Sequence, residues 1–175
     1  MKYLLFIILF SSRLLSQEII MPVERKIELS YNNPNYENYV FKDINNVFEK
    51  FLGKWRFRDS LYDINLEIFK IFDKDNRQDA IYVNMRVIKG NDTLINTLPF
   101  TQENYITGGV FENKKNLNKT TVFFSEITEI WSCGNACNVD LTYNTNELIW
   151  DIEDKKLRFN KTARLFPNHI KFNKP

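Results

Sequence analysis

From Gly53 onward, apolar and polar residues alternate along most of the chain. Trp55 and Phe57 alternate with Arg56 and Arg58, and Ile64, Leu66 and Ile68 with Asn65 and Glu67. Ile81, Val83, Met85 and Val87 oppose Tyr82, Asn84 and Arg86. A period of two places alternate side chains on opposite faces, so each run predicts a strand with one buried face. Polar clusters at Asp59-Ser60, Asp73–Asn76 and Lys89–Asp92 predict the turns between them. Thr93–Leu98, Tyr105–Phe111, Thr120–Trp131, Asn138–Tyr143, Leu148–Ile152 and His169–Phe172 continue the series. Short strands separated by turn signals predict a mainly β, antiparallel meander, closed as a barrel or packed as a sandwich. Val122–Phe124 is apolar at successive positions, which predicts a strand covered on both faces.

The pattern differs before Gly53. Ile44, Val47, Phe48, Phe51 and Leu52 recur at helical spacing, which predicts one short helix over Asp43–Leu52. Asp43 is placed to cap its first amides, and Gly53 to end it in a left-handed conformation. Residues 17–42 are polar, contain Pro22 and Pro34, and predict an extended arm with one strand near Lys26–Ser30. Tyr31, Tyr36, Tyr39 and Phe41 equip that arm to lie against a surface. Residues 1–16 run from Met1-Lys2 through the apolar stretch Tyr3–Phe10 to small residues near Ser16, the layout of a cleavable signal peptide. Eight apolar residues fall far short of the roughly 20 that span a bilayer. The expected product is secreted or periplasmic and not transmembrane after processing, with the barrel domain over 43–175.

Charge narrows the partners. The chain has 24 Lys and Arg against 22 Asp and Glu; without Lys2 and Arg13 the two counts are equal. A neutral mature chain excludes a strongly basic nucleic-acid binder. The apolar fraction of 43% excludes a disordered chain. In an oxidising compartment, Cys133 and Cys137 predict one disulfide stapling a loop around Gly134-Asn135. A redox pair would favour C-x-x-C at a helix start, and a metal site would need further Cys or His ligands.

Phe51-Leu52-Gly53-Lys54-Trp55 forms F-x-G-x-W between the predicted helix and the first strand. This resembles the start of the calycin barrels, the lipocalins and fatty-acid-binding proteins. More specifically, the chain resembles a family of secreted bacterial proteins of unknown function with lipocalin-like sequence. The matching pieces are Tyr39–Asn46, Phe51–Trp55, Ile81–Met85, Ile95–Leu98, Leu148–Trp150 and Phe166–Phe172, in that order over most of the mature chain. The resemblance implies an up-and-down barrel in which Gly53 permits a close turn and Trp55 plugs the closed end. It also implies a late Arg over the Trp, for which Arg158 and Arg164 are the candidates. It implies no activity. The two helices of fatty-acid-binding proteins and the long lid loop of lipocalins are missing, since only Asp59–Leu61 follows the first strand. Such short connections look more like an avidin-type meander, but no matching set of biotin-binding residues is present.

No catalytic signature emerges. His169 is the one histidine and has no nucleophile placed beside it in sequence. Asp73, Asp75 and Asp79 resemble the start of a calcium loop, but Arg77, Gln78 and Asn84 occupy positions that need a ligand, a Gly and an acid. Glu126 with Glu129, and Asp151 with Glu153 and Asp154, read as solvated carboxylates rather than glycosidase pairs. Three Asn-x-Thr sequons, at Asn91, Asn118 and Asn160, carry little weight in a chain this rich in Asn. Gly108-Gly109 marks a bulge rather than a phosphate loop. No cofactor motif is present. Aromatic residues reach 15%, and Trp131 and Trp150 are candidates for lining a cavity or filling a core. The leading expectation is therefore a non-enzymatic binding protein for a small apolar or amphipathic ligand. The alternatives are a filled barrel acting as an extracellular or envelope interaction module, and an enzyme built from carboxylates that only the fold brings together.

Overall fold

The computed structural model describes residues 18–29, 33, 36–97, 106–111, 115–125, 136–152, 167 and 169–175. Among these residues eleven strands form one sheet: β1 (Ile19–Pro22), β2 (Tyr39–Lys42), β3 (Gly53–Arg58), β4 (Tyr62–Asp73), β5 (Gln78–Lys89), β6 (Asp92–Asn96), β7 (Ile106–Val110), β8 (Lys119–Ser125), β9 (Ala136–Asn144), β10 (Glu147–Ile152) and β11 (His169–Asn173). Eight of them, β3–β5 and β7–β11, close a ring of antiparallel pairs in chain order, with β11 returning to β3 and β7 joining β5. The expected mainly β, up-and-down antiparallel barrel is thus present.

Turn chemistry sets the hairpins. β9 and β10 meet through Thr145-Asn146, both at positive φ, the backbone of a type I′ turn whose twist matches the strands. Gly90, at positive φ, begins the two-residue link from β5 to β6. Between β4 and β5, the Asp73 carboxylate accepts from the Asp75 and Asn76 amides at 3.0 Å each. The residues that resemble a calcium loop therefore shape a turn between strands.

Alternation is visible in burial. On β4, Tyr62, Ile64, Leu66 and Ile68 are buried and the residues between them partly exposed. Inward side chains from all around the ring meet: Trp55, Ile64, Leu66, Ile81, Val83, Met85, Val87, Val122, Val139, Leu141, Leu148, Trp150, Ile170 and Phe172. Strand β5 is buried on both faces from Ala80 to Met85, with outward Tyr82 stacked on outward Phe69 at 6.0 Å. The two-faced cover expected at Val122–Phe124 is not found there, because Phe123 is 38% exposed on the outer face.

The expected helix over Asp43–Leu52 is replaced by successive tight turns. Backbone bonds run from the amides of Asn46, Glu49, Phe51 and Leu52 to carbonyls three residues earlier. Asn46 at φ 53° breaks the helical path, and Asp43 supplies the missing acceptors for the Val47 and Phe48 amides at 2.7 and 3.4 Å. Val47, Phe48 and Phe51 still enter the core, whereas Ile44 points to solvent. Among the described residues, regular helix is confined to 3-10 turns in the arm, at Val23–Glu28 and Tyr36–Asn38. The first of these takes in Lys26, Ile27 and Glu28, where a strand near Lys26–Ser30 was expected; Ser30 lies outside the described residues.

Glycine closes the barrel at its seam. The β7–β8 register shifts between Gly108 and Val110, confirming the bulge. A side chain at Gly108 would lie 2.5 Å from the Val122 Cα, and one at Gly109, at φ 102°, would meet the Phe48 ring at 2.9 Å. The backbone approach lets Phe48 stack on Phe111 at 5.3 Å.

Candidate functional site

Three regions bear on function: the barrel interior, the outer face of β3–β5 and the arm. The interior is plugged at the end where β3 begins. Gly53 opens β3 at φ 107°, and Trp55 is buried two residues later. Its Nε1 donates to the Phe51 carbonyl at 2.8 Å, and its ring meets Tyr143 edge-on at 6.3 Å. Among the described residues, Lys174 lies over this ring, 5.0 Å from its centroid. Arg158 and Arg164, the residues expected in that place, lie outside the described residues. Nothing in the Lys174 position along the sequence marks it, because only the return of β11 beside β3 brings it there. Further along the barrel, Trp150 and Phe57 each contact Phe172 at 6.3 Å. Ile64, Ile81, Val83, Val87, Val122, Val139, Leu141, Leu148 and Trp150 have no exposed surface. A void large enough for water would expose its lining, so none touches these nine side chains.

A polar clamp holds the plugged end. The Asp43 carboxylate, fully buried, also accepts from Lys70 at 2.9 Å. Burial opposes the Lys70 charge, but the hydrogen bond and charge of Asp43, with Glu49, outweigh it and raise the Lys70 pKa. The Asp43 amide donates to Asp79, which also binds Lys42 at 3.2 Å.

The outer face of β3–β5 carries a groove of about 430 Å³. Strand register arranges its residues in rows: Arg58 beside Asp63 beside Ile88, Arg56 beside Asn65 beside Arg86, and Lys54 beside Glu67 beside Asn84. Arg56 grips Asp63 through two bonds of 3.0 and 2.6 Å. That hydrogen bond, against some burial and with help from the Arg56 and Arg58 charges, holds the Asp63 carboxyl below the usual range. Sequence reasoning missed this grouping: period two shows which residues face outward, but not which strands lie side by side.

The arm is tied to the barrel and leaves one edge open. Phe41 is buried, its amide donates to the Arg77 carbonyl at 2.9 Å, and Tyr36 and Tyr39 contact its ring. Strand β2 pairs in parallel with both β5 and β1, and β1 ends the sheet among the described residues. Among the described residues, six large apolar side chains are exposed, and four of them, Ile19, Ile20, Ile27 and Ile44, lie in the arm or just after it.

Of the candidate catalytic groups, the structure brings His169 and Asp151 together at the surface. His169 and Asp151 face each other across β10 and β11 with Nδ1 and Oδ1 2.5 Å apart, both well exposed. Asp140, next to Asp151 on β9, is engaged by Lys119 at 2.7 Å and by the Thr121 hydroxyl at 2.8 Å. Among the described residues, no group of three His, Cys, Asp or Glu is placed to hold a metal ion. Cys137 lies on β9, while Cys133 lies outside the described residues, as do Trp131, Glu126, Glu129, Glu153, Asp154, Asn160, Tyr31 and residues 1–16. Comparison with protein-family models, characterised proteins and solved structures found no match to this chain.

Proposed function

We propose that this protein is a non-enzymatic interaction module of the secreted or envelope compartment, which takes up an extended segment of a polypeptide partner along β1. The observation that supports this most is the concentration of exposed apolar residues at a terminal strand. Ile19 and Ile20 are 43% and 62% exposed on β1, and no further strand pairs with β1 among the described residues. An open edge presents unpaired amides and carbonyls, and alternate side chains supply selectivity when a partner strand adds to it. Pro22 at the end of β1 removes one donor and limits how far pairing extends.

Carriage of a small apolar ligand inside a lipocalin-like barrel has less support. It needs a cavity, and the interior side chains named above are packed against one another. Packed barrels of eight strands are at the size that side chains alone fill.

The test places a photo-crosslinking side chain at position 20, and separately at position 171 on the outer face of β11, in the native host. The proposal expects a discrete polypeptide adduct from position 20, with the crosslink mapped to an extended segment, and none from position 171. Equal labelling from both positions, or adducts to lipid alone, would contradict it.

A further inference from the structure

We infer that the groove on the outer face of β3–β5 binds a small hydroxylated anion, a sugar acid or sugar phosphate. The groove's 430 Å³ falls within the range of about 300–1,000 Å³ that takes small molecules. Its charges are not mutually satisfied. An ordinary solvated sheet face pairs opposite charges across strands. Here Lys54 lies in register with Glu67, yet among the described residues no ion pair joins them. Arg86 lies in register with Asn65 rather than an acid, and no ion pair reaches it either. Of the two acids diagonal to it on β4, Asp63 is occupied by the fork of Arg56, with Arg58 at 3.9 Å, and Glu67 makes no ion pair with it among the described residues.

These commitments leave a guanidinium, an ammonium and two acceptors facing one groove. The Arg86 fork matches the two oxygens of a carboxylate or phosphate. Lys54 adds a second cation on the opposite wall. Asn65 spends its amide on Asp63 at 3.2 Å, so its carbonyl oxygen remains to accept. Glu67 is acceptor-only when ionised. A bare anion would be repelled by Glu67, so the ligand must offer hydroxyl donors there as well as a charge for Arg86. Ile88 gives the ring of such a ligand an apolar wall. Sugar acids and sugar phosphates share this chemistry. The site is separate from the β1 edge and does not depend on it.

Calorimetric titration of the full mature protein at low salt tests the inference, with glucuronate, glucose 6-phosphate, glucose and glycine as probes. We expect saturable one-to-one binding of glucuronate or glucose 6-phosphate, whichever is preferred naming the source, and no binding of glucose. Arg86→Gln and, as a second variant, Lys54→Gln should each weaken it about tenfold. Lys171→Gln, on a different wall of the barrel, should leave it unchanged. Thermal unfolding confirms that each variant folds. No saturable binding of either anion up to about 10 mM would overturn the inference. So would binding that both groove variants leave intact, or binding of glycine in place of the sugar anions.

Discussion

The two faces of β3–β5 are one residue apart in sequence and opposite in character. Inward, Trp55, Leu66 and Met85 sit in register and are sealed from water. Outward, the next row holds Arg56, Asn65 and Arg86, two of them exposed and one half-buried. The inner face spends its side chains on each other, whereas the outer face keeps Lys54 and Arg86 without an ion pair among the described residues. Stability and recognition are therefore assigned to different faces of the same strands. Changes to one should leave the other intact, and the predictions below ask whether they do.

The largest effect belongs to the inner face. Trp55→Ala removes the plug under the tight-turn segment and should destabilise the fold by about 3–5 kcal/mol in chemical denaturation. Arg86→Gln on the outer face should shift the same transition by less than about 0.5 kcal/mol. Comparable losses for both would break the division.

Next comes the buried clamp that joins the plug to the strands. Asp43→Ala leaves two amides and Lys70 without their acceptor and should cost about 3 kcal/mol. Lys70 has a raised pKa, so its pairing adds stability that is fully present below the ordinary lysine value of about 10.4. That stability is lost as pH rises through the higher folded value. Unfolding followed between pH 9 and pH 12, about the lysine value, should show this loss in the parent and not in Asp43→Ala.

Two glycines sharpen the comparison further. Both adopt positive φ, but a side chain at Gly109 meets Phe48, and one at Gly53 meets open space. Gly109→Ala should cost about 2–3 kcal/mol and Gly53→Ala about 1 kcal/mol, the difference being the steric part alone. Equal losses in thermal unfolding would show that Phe48 yields easily and that the seam is looser than its contacts indicate.

The smallest effect is predicted at the arm. Ile20→Lys adds charge to an exposed edge and should change stability by less than about 0.5 kcal/mol while abolishing partner uptake along β1. Melting curves and a crosslinking yield measured on the same variant separate the two.

Much of this fold was legible in the sequence. Period-two alternation located the strands of the barrel, and turn residues such as Gly90-Asn91 marked where they reverse. The stretch Asp43–Leu52 read as helix because its apolar spacing is helical, yet the Asp43 side chain satisfies the amides that a helix would leave to its own carbonyls. Burial of Phe48 and Phe51 follows from the apolar spacing whichever backbone carries it. The groove was not legible, because Lys54, Asn65 and Arg86 are spread over three strands and become neighbours only through register. Lys174 over Trp55 escaped for the same reason. Alternation encodes a strand's faces locally, while a site made across strands is encoded only by their pairing.

Native mass spectrometry of the gently purified protein tests the separation of faces most directly. The account predicts that no apolar molecule rides with it: any added mass is polar and is displaced by glucuronate or glucose 6-phosphate. A reproducible added mass that is extracted into organic solvent, lost on denaturation and untouched by those competitors would place a ligand inside the barrel and contradict the account.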